Sequence, residues 1–300
     1  MYNFLSLLTG WVIAVMVAIN GRLTLQYGNF NAAVIIHVVG VVFAFLLCMG
    51  MGKRIPLKKG LPLWFYSGGA IGVLTTVFTN FSYGKISLTS IVALGLLGQT
   101  VASLVTDCFG LFGMKKHPFS RSSVLGLVFS IAGIGVMLED PVGGAVFAVL
   151  LSFCSGATVV LSRTVNARLS HHIGDLQGSF VNHVVGLPIT VIMAIAFPGG
   201  SSSPAAVAFP SDLWMYFGGI LGVSIVVLSN MVVPKIPSFR LTLLTFVGQV
   251  FMGIAIDMFT KSGFTGTTFV GGLLVAVGIS LNMVWEQLLR RKRGEREAGN

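Results

Sequence analysis

Ten stretches of mainly apolar residues follow one another along the chain, and short polar connections separate them. Each has about 20 residues, the length that an α-helix needs to cross the hydrocarbon core of a bilayer. The pattern predicts an all-α polytopic membrane protein with ten transmembrane helices. The predicted segments are 2–20, 31–51, 62–83, 88–109, 122–139, 142–162, 175–197, 211–233, 239–260 and 267–288.

Composition and charge agree with this class of protein. Hydrophobic residues make up 54% of the chain, charged residues 9%, and the mean hydropathy is +0.90. A net charge of +10 also occurs in nucleic-acid-binding proteins, but here the basic residues lie in short connections and at the C-terminus. Of 19 Lys and Arg residues, all but Arg22, Lys85 and Lys261 fall on one side of the predicted membrane. The positive-inside rule therefore predicts that both termini are cytoplasmic, and no nucleic-acid partner is expected.

The sequence contains an internal repeat. Residues 20–40, NGRLTLQYGNFNAAVIIHVVG, return at 166–186 as NARLSHHIGDLQGSFVNHVVG, and WFYSGGAIGV from Trp64 returns as WMYFGGILGV from Trp214. The repeat divides the chain into two five-helix units, residues 1–140 and 141–289, followed by a basic cytoplasmic tail at 290–300.

The two units are predicted to have opposite orientations in the membrane, because each contains an odd number of helices. The connection at 52–62 carries Lys and Arg residues, whereas its counterpart at 201–212 carries none. Inverted repeats of this kind are typical of secondary transporters, whose substrate site lies near the bilayer midplane between the repeats.

A polar amide and a carboxylate recur within the apolar segments at the same spacing in both units. Gln99 and Asp107 lie in the fourth segment, and Gln249 and Asp257 lie in the ninth. A charged side chain at the bilayer centre costs about 2.5–3.5 kcal/mol on insertion scales, so such residues usually have a partner or a function. We expect the two glutamines to bind substrate, with hydrogen bonding between helices as the alternative.

Two interpretations remain open for the aspartates. In the first, Asp107 and Asp257 couple protons or gate the two sides of the transporter. In the second, they are interfacial carboxylates: Asp257 pairs with Lys261 one turn later, and Asp107 reaches Lys115 or Lys116.

Five further residues are candidates for the site. His37 and His183 occupy matching positions in the second and seventh segments, and a histidine that titrates near neutral pH can relay protons or only pack between helices. Asn80 and Asn230 match near the ends of the third and eighth segments and are candidates for substrate binding or for helix contacts. Trp11 in the first segment offers an aromatic face to a substrate.

Three stretches carry a resemblance to a known family. LSLLTGWVIAVMVAINGRL at the N-terminus, HVVG in the second segment and GQTVASLVTDCFGLFG in the fourth resemble the drug/metabolite transporter superfamily, in particular its YdcZ-like branch of bacterial inner-membrane exporters. The resemblance covers the whole chain and implies a fused two-repeat transporter. The second copy keeps Gln249 and Asp257 but lacks the FGLFG that follows in the first.

The expected function is therefore secondary active export of a small metabolite or amphiphilic compound by alternating access, with proton coupling as a further hypothesis. The alternatives are a passive facilitator or channel, and an accessory membrane subunit without transport activity. The motifs HExxH, GxSxG and the P-loop are absent from the sequence, so we do not expect an enzyme. No cofactor or metal is predicted. The expected partners are a small-molecule substrate, membrane lipids and protons, in a monomer or homodimer.

Overall fold

The structure is a computed structural model that describes residues 1–53, 60–82, 85–86, 88–117, 121–137, 146–197, 213–260 and 266–298. This part of the chain forms ten α-helices and confirms an all-α polytopic architecture. Seven apolar spans are long enough to cross a membrane, and three shorter apolar helices accompany them. The helices are α1 (Tyr2–Tyr27), α2 (Asn29–Gly50), α3 (Gly68–Ser82), α4 (Leu88–Phe109), α5 (Arg121–Met137), α6 (Val146–Ile173), α7 (Asp175–Ala196), α8 (Gly218–Val232), α9 (Ser238–Thr260) and α10 (Gly266–Ala298).

Three helices continue well beyond their predicted ends. The predicted ends at residues 20 and 162 lie inside α1 and α6, which stop only at Gly28 and Gly174. These glycines have φ angles of 78° and 100°, a backbone conformation that side chains with a Cβ rarely adopt and that ends a helix. Arg163 is thus part of a helix, although the sequence analysis placed it in a connection. α10 similarly runs through Ala298 and includes most of the predicted tail.

Matching helices of the two units run in opposite directions. Along α2 and α7, Phe30 stacks on Phe197 at one end, with ring centroids 5.4 Å apart, and Phe45 lies 6.2 Å from Phe180 towards the other end. An early residue of one helix therefore meets a late residue of its counterpart. α5 and α10 pack in the same antiparallel way, because Gly133 faces Gly271 whereas Gly126 faces Asn282. The repeat is inverted, as the sequence predicts.

The first helix of each unit packs mainly against the other unit. α1 lies against α8 and α9, and its counterpart α6 lies against α3 and α4. Glycines allow the closest approaches: a methyl group added at Gly10 would overlap the backbone at Thr245, and one added at Gly156 would overlap the backbone at Gly95. Each unit thus packs its first helix on the other unit, and this exchange of first helices encloses a space between the two units.

Candidate functional site

A cavity of about 430 Å³ lies at the centre of the molecule between the two units. Helices α1–α4 and α6–α9 all contribute residues to its wall. Pockets for small-molecule ligands typically have about 300–1,000 Å³, so the space suits a metabolite-sized compound. Because the units are inverted, matching residues reach the cavity from opposite directions.

The structure brings five of the nine predicted site residues together on this cavity. They are His37, Gln99, His183, Asn230 and Gln249. Four of them form the matching pairs Gln99/Gln249 and His37/His183, which the repeat relates. The structure therefore places these side chains on one cavity, and their roles in binding or coupling remain predictions.

The other predicted residues lie elsewhere or are outside the described part. Trp11 packs edge-to-face on Phe4, with centroids 6.2 Å apart, and is not among the residues that line this cavity. The side chains of Asn80 and Asp257 lie outside the described residues, as does Lys261, the predicted partner of Asp257. Their predicted roles stay untested.

The two histidines form a pair where α2 crosses α7. Their ring centroids are 5.8 Å apart, and each ring packs against a glycine of the opposite helix, Gly40 or Gly186. Nδ1 of His37 lies 2.9 Å from the carbonyl oxygen of Ala33, and Nδ1 of His183 makes the same contact one turn back in its own helix, at 2.8 Å. Because a carbonyl only accepts, Nδ1 carries the hydrogen and Nε2 is the acceptor in the neutral ring.

Asp107 has hydrogen-bond partners that the sequence does not predict, and its role in coupling or gating stays a prediction. It is 5% exposed, and its two carboxylate oxygens accept hydrogen bonds of 2.8 Å from the backbone N–H groups of Ser238 and Phe239. These are the first residues of α9, whose N–H groups have no partner within the helix. Asp107 thus caps α9 from another helix, rather than pairing with Lys115 or Lys116.

Arg163 is a site residue that the sequence analysis missed. It lines the cavity, and its Nη2 donates to Ser103 Oγ at 3.1 Å, to the carbonyl oxygen of Ser238 at 3.2 Å and to Thr242 Oγ1. The internal repeat contains a signal that identifies it. The repeat aligns Asn166 with Asn20 and therefore Arg163 with Val17, which lies inside the predicted first segment. The matching helix is therefore expected to extend past residue 162.

Among the described residues, three polar atoms of the cavity residues have no hydrogen-bond partner. They are Arg163 Nε, Asn230 Oδ1 and Thr245 Oγ1, and all three are buried. Buried polar atoms in folded proteins are nearly always paired with protein or water, so water or a bound compound is expected to pair with these three. Within the described residues, no group of three His, Cys, Asp or Glu side chains is arranged to hold a metal ion.

The architecture defines a polytopic membrane protein made of two inverted repeats around a central cavity. A family profile described as "Putative inner membrane exporter, YdcZ" matches residues 1–136 and 147–281. The chain belongs to this inner-membrane family, whose description points away from an enzyme. The two matched segments follow the division into two repeats.

Comparison with solved structures supports the fold independently. One crystal structure, titled only "Crystal structure of protein", superposes with a TM-score of 0.70 over 96% of this chain and 97% of the other, at 13% sequence identity. An identity this low establishes a shared fold and no shared activity. No curated protein matches the chain.

Proposed function

We propose that the protein is a secondary transporter that exports a small metabolite or amphiphilic compound across the inner membrane by alternating access. The observation that carries the proposal is the central cavity, which matching side chains of two inverted units line in pairs. In such a fold, the units rock against each other around a fixed site and expose it to one side of the membrane at a time. Gln99 and Gln249 then contact the substrate.

The proposed topology has both termini in the cytoplasm. On that side lie the exposed Lys53 after α2, the exposed Lys115 and Lys116 after α4, and Lys235 after α8. Clustering of basic residues at one face supports this orientation through the positive-inside rule.

A ligand screen with matched glutamine variants tests the transporter proposal. In detergent, a substrate at 100 times its dissociation constant stabilises the folded protein by about 2.7 kcal/mol, which is visible as a rise in melting temperature. We expect a stabilising compound to lose at least about 1 kcal/mol of binding free energy in Gln99→Ala or Gln249→Ala, since each amide hydrogen bond contributes about that much.

The control is Gln177→Ala, which removes a buried glutamine that is not among the residues lining the cavity. Binding should survive in this variant. A compound that binds both cavity variants as tightly as the parent protein does would place the substrate site elsewhere, and a screen with no stabilising compound would count against a transporter.

We further propose that His37 and His183 carry the coupling proton. A histidine ring can take up and release a proton, and the two rings meet at the helix crossing between the units, where a change in charge acts on both. Transport of a compound found in the screen should therefore depend on pH in the parent protein. It should vary little with pH in a double variant, His37→Asn with His183→Asn, because an asparagine amide replaces the Nδ1 donor without titrating.

The matched control for this prediction is His171→Asn, which removes an exposed histidine near the end of α6. The measurement is the initial transport rate in proteoliposomes against pH, at equal protein amounts. An unchanged pH profile in the double variant would remove the histidine pair from the coupling mechanism.

A further inference from the structure

The two units contribute different charges to the cavity wall, although their sequences are related by the repeat. Among the described residues that line it, Arg163 is the one Lys, Arg, Asp or Glu side chain. The matching position in the first unit is Val17, which is 59% exposed and lies outside the lining. The Gln and His pairs follow the two-fold symmetry that relates the units, whereas Arg163 has no charged counterpart in the first unit. A substrate therefore meets a positive group at one place in the site and has one preferred orientation.

We propose that the cavity binds a small organic anion, a carboxylate that also carries a hydrogen-bond donor, with Arg163 as its anion site. The inference rests on the proposed transport function and narrows its substrate class. It replaces a general metabolite or amphiphile with a compound of defined charge.

The geometry of Arg163 leaves part of its guanidinium available. Ser103, Ser238 and Thr242 hold Nη2, which fixes the plane of the group, while Nε is buried without a partner. A guanidinium presents five N–H donors, and an ionised acceptor makes shorter and stronger bonds with them than a neutral one. Because the group is already immobilised, a carboxylate that binds to it orders no flexible side chain.

The nearby carboxylate of Asp107 does not take this place. Asp107 and Arg163 both contact Ser238, but on different atoms: Asp107 accepts from its N–H and Arg163 donates to its carbonyl oxygen. Both oxygens of Asp107 already receive backbone hydrogens at the start of α9 and balance the positive end of that helix. Nε of Arg163 thus has no partner among the described residues, and we assign it to the ligand.

The other two unpaired atoms, Asn230 Oδ1 and Thr245 Oγ1, indicate which further group the ligand carries. Asn230 donates through Nδ2 to the carbonyl oxygen of Asp175, so its amide is oriented and its Oδ1 requires a donor. Thr245 Oγ1 can donate or accept. A hydroxyl group on the bound compound satisfies either atom. A lipophilic cation satisfies neither, and Arg163 repels it.

The position of Arg163 also fits export. Its contacts place it beside the end of α4, through Ser103, and the start of α9, through Ser238 and Thr242. In the proposed topology, this is the cytoplasmic end of the cavity. The anionic group of the substrate is therefore held on the side from which an exporter loads.

Paired probes in the full-length purified protein test the proposal. The probes are lactate, glycerate, malate and gluconate, each beside its neutral amide, and tetraethylammonium as a cation. We expect at least one acid to raise the melting temperature more than its amide does, and tetraethylammonium to have no effect. Arg163→Gln should weaken binding of that acid about ten- to a hundredfold, as expected for a hydrogen bond to a charged group. Arg163→Lys should retain part of the affinity because it keeps the charge.

A second pair of variants tests the same proposal if the Arg163 variants do not fold. Thr245→Val removes a hydroxyl that has no partner in the protein, so the unliganded melting temperature should not fall while acid binding weakens several-fold. Thr100→Val removes another buried, unpaired hydroxyl that does not line the cavity, and it should leave binding unchanged.

The outcomes separate this inference from the transport proposal. If the amides or tetraethylammonium bind the parent protein as well as the acids do, or if acid binding survives both Arg163→Gln and Thr245→Val, the anion site is wrong and a transporter of another substrate class stands. If no compound of any charge binds here or in the wider screen, both proposals fail.

Discussion

Replacing Asp107 by alanine is expected to destabilise the folded protein by about 2–4 kcal/mol. The substitution leaves the N–H groups of Ser238 and Phe239 buried without an acceptor, and each unsatisfied buried group costs about 1–3 kcal/mol. It also removes the negative charge at the start of α9. Asp107→Asn should have an intermediate effect, because one amide oxygen still accepts from one N–H. The measurement is the melting temperature of each variant in detergent.

The control for this prediction is Asp175→Asn, at the start of α7, where the interactions with the helix dipole and with the charge of Lys53 are reduced and about 1 kcal/mol or less is expected. The experiment also distinguishes a cap from a coupling residue. If Asp107→Asn abolished transport at an unchanged melting temperature, the carboxylate would act in the transport cycle, and its contacts with α9 would be incidental to stability.

Replacing Gly248 by alanine is expected to cost about 1–3 kcal/mol of stability, the usual range for overpacking a tight interface. A methyl group there would overlap the carbonyl oxygen of Leu7 in α1 and would lie 3.2 Å from the Cα atom of Gly10. Backbone atoms cannot move aside as a flexible side chain can, so the two helices must separate. The same overlap exists in the other unit, between Gly98 and the carbonyl oxygen of Phe153.

The matched control lies five positions further along the same helix. A methyl group added at Gly253 meets nothing within 4 Å, so Gly253→Ala should leave stability unchanged or raise it by up to about 1 kcal/mol through better helix propensity. Melting temperatures of both variants and the parent protein are compared in one detergent. Equal values for the two variants would mean that α1 and α9 are not in close backbone contact.

Much of the fold was predictable because the apolar pattern and the repeat are strong signals. The fourth predicted segment, 88–109, has the same bounds as α4 (Leu88–Phe109). The repeat also identified Gln99, Gln249, His37 and His183 as matching pairs, and the structure places all four on the central cavity. Local sequence is sufficient for such features, since they depend on periodicity and spacing.

Features that depend on distant contacts could not be predicted in the same way. One of the two interpretations of Asp107 pairs it with nearby lysines, because its actual partners, Ser238 and Phe239, are remote in sequence and could not be identified. Arg163 was placed in a connection because a charged residue usually ends an apolar segment. Here it continues the helix, because its donors reach Ser103, Ser238 and Thr242 on neighbouring helices. Only the three-dimensional packing supplies those acceptors.

The exchange of first helices between the units has a consequence for how the protein is made. A ribosome delivers α1 to the membrane first, yet the surfaces on which α1 packs belong to α8 and α9, which are synthesised near the end. Until then, Gly10 lacks Gly248 and faces lipid or an assisting protein. α6, by contrast, emerges after α3 and α4, so its partners are already present when it is made. Biogenesis of the two related units is therefore unequal: the first helix of the second unit meets surfaces that already exist, whereas α1 waits for α8 and α9.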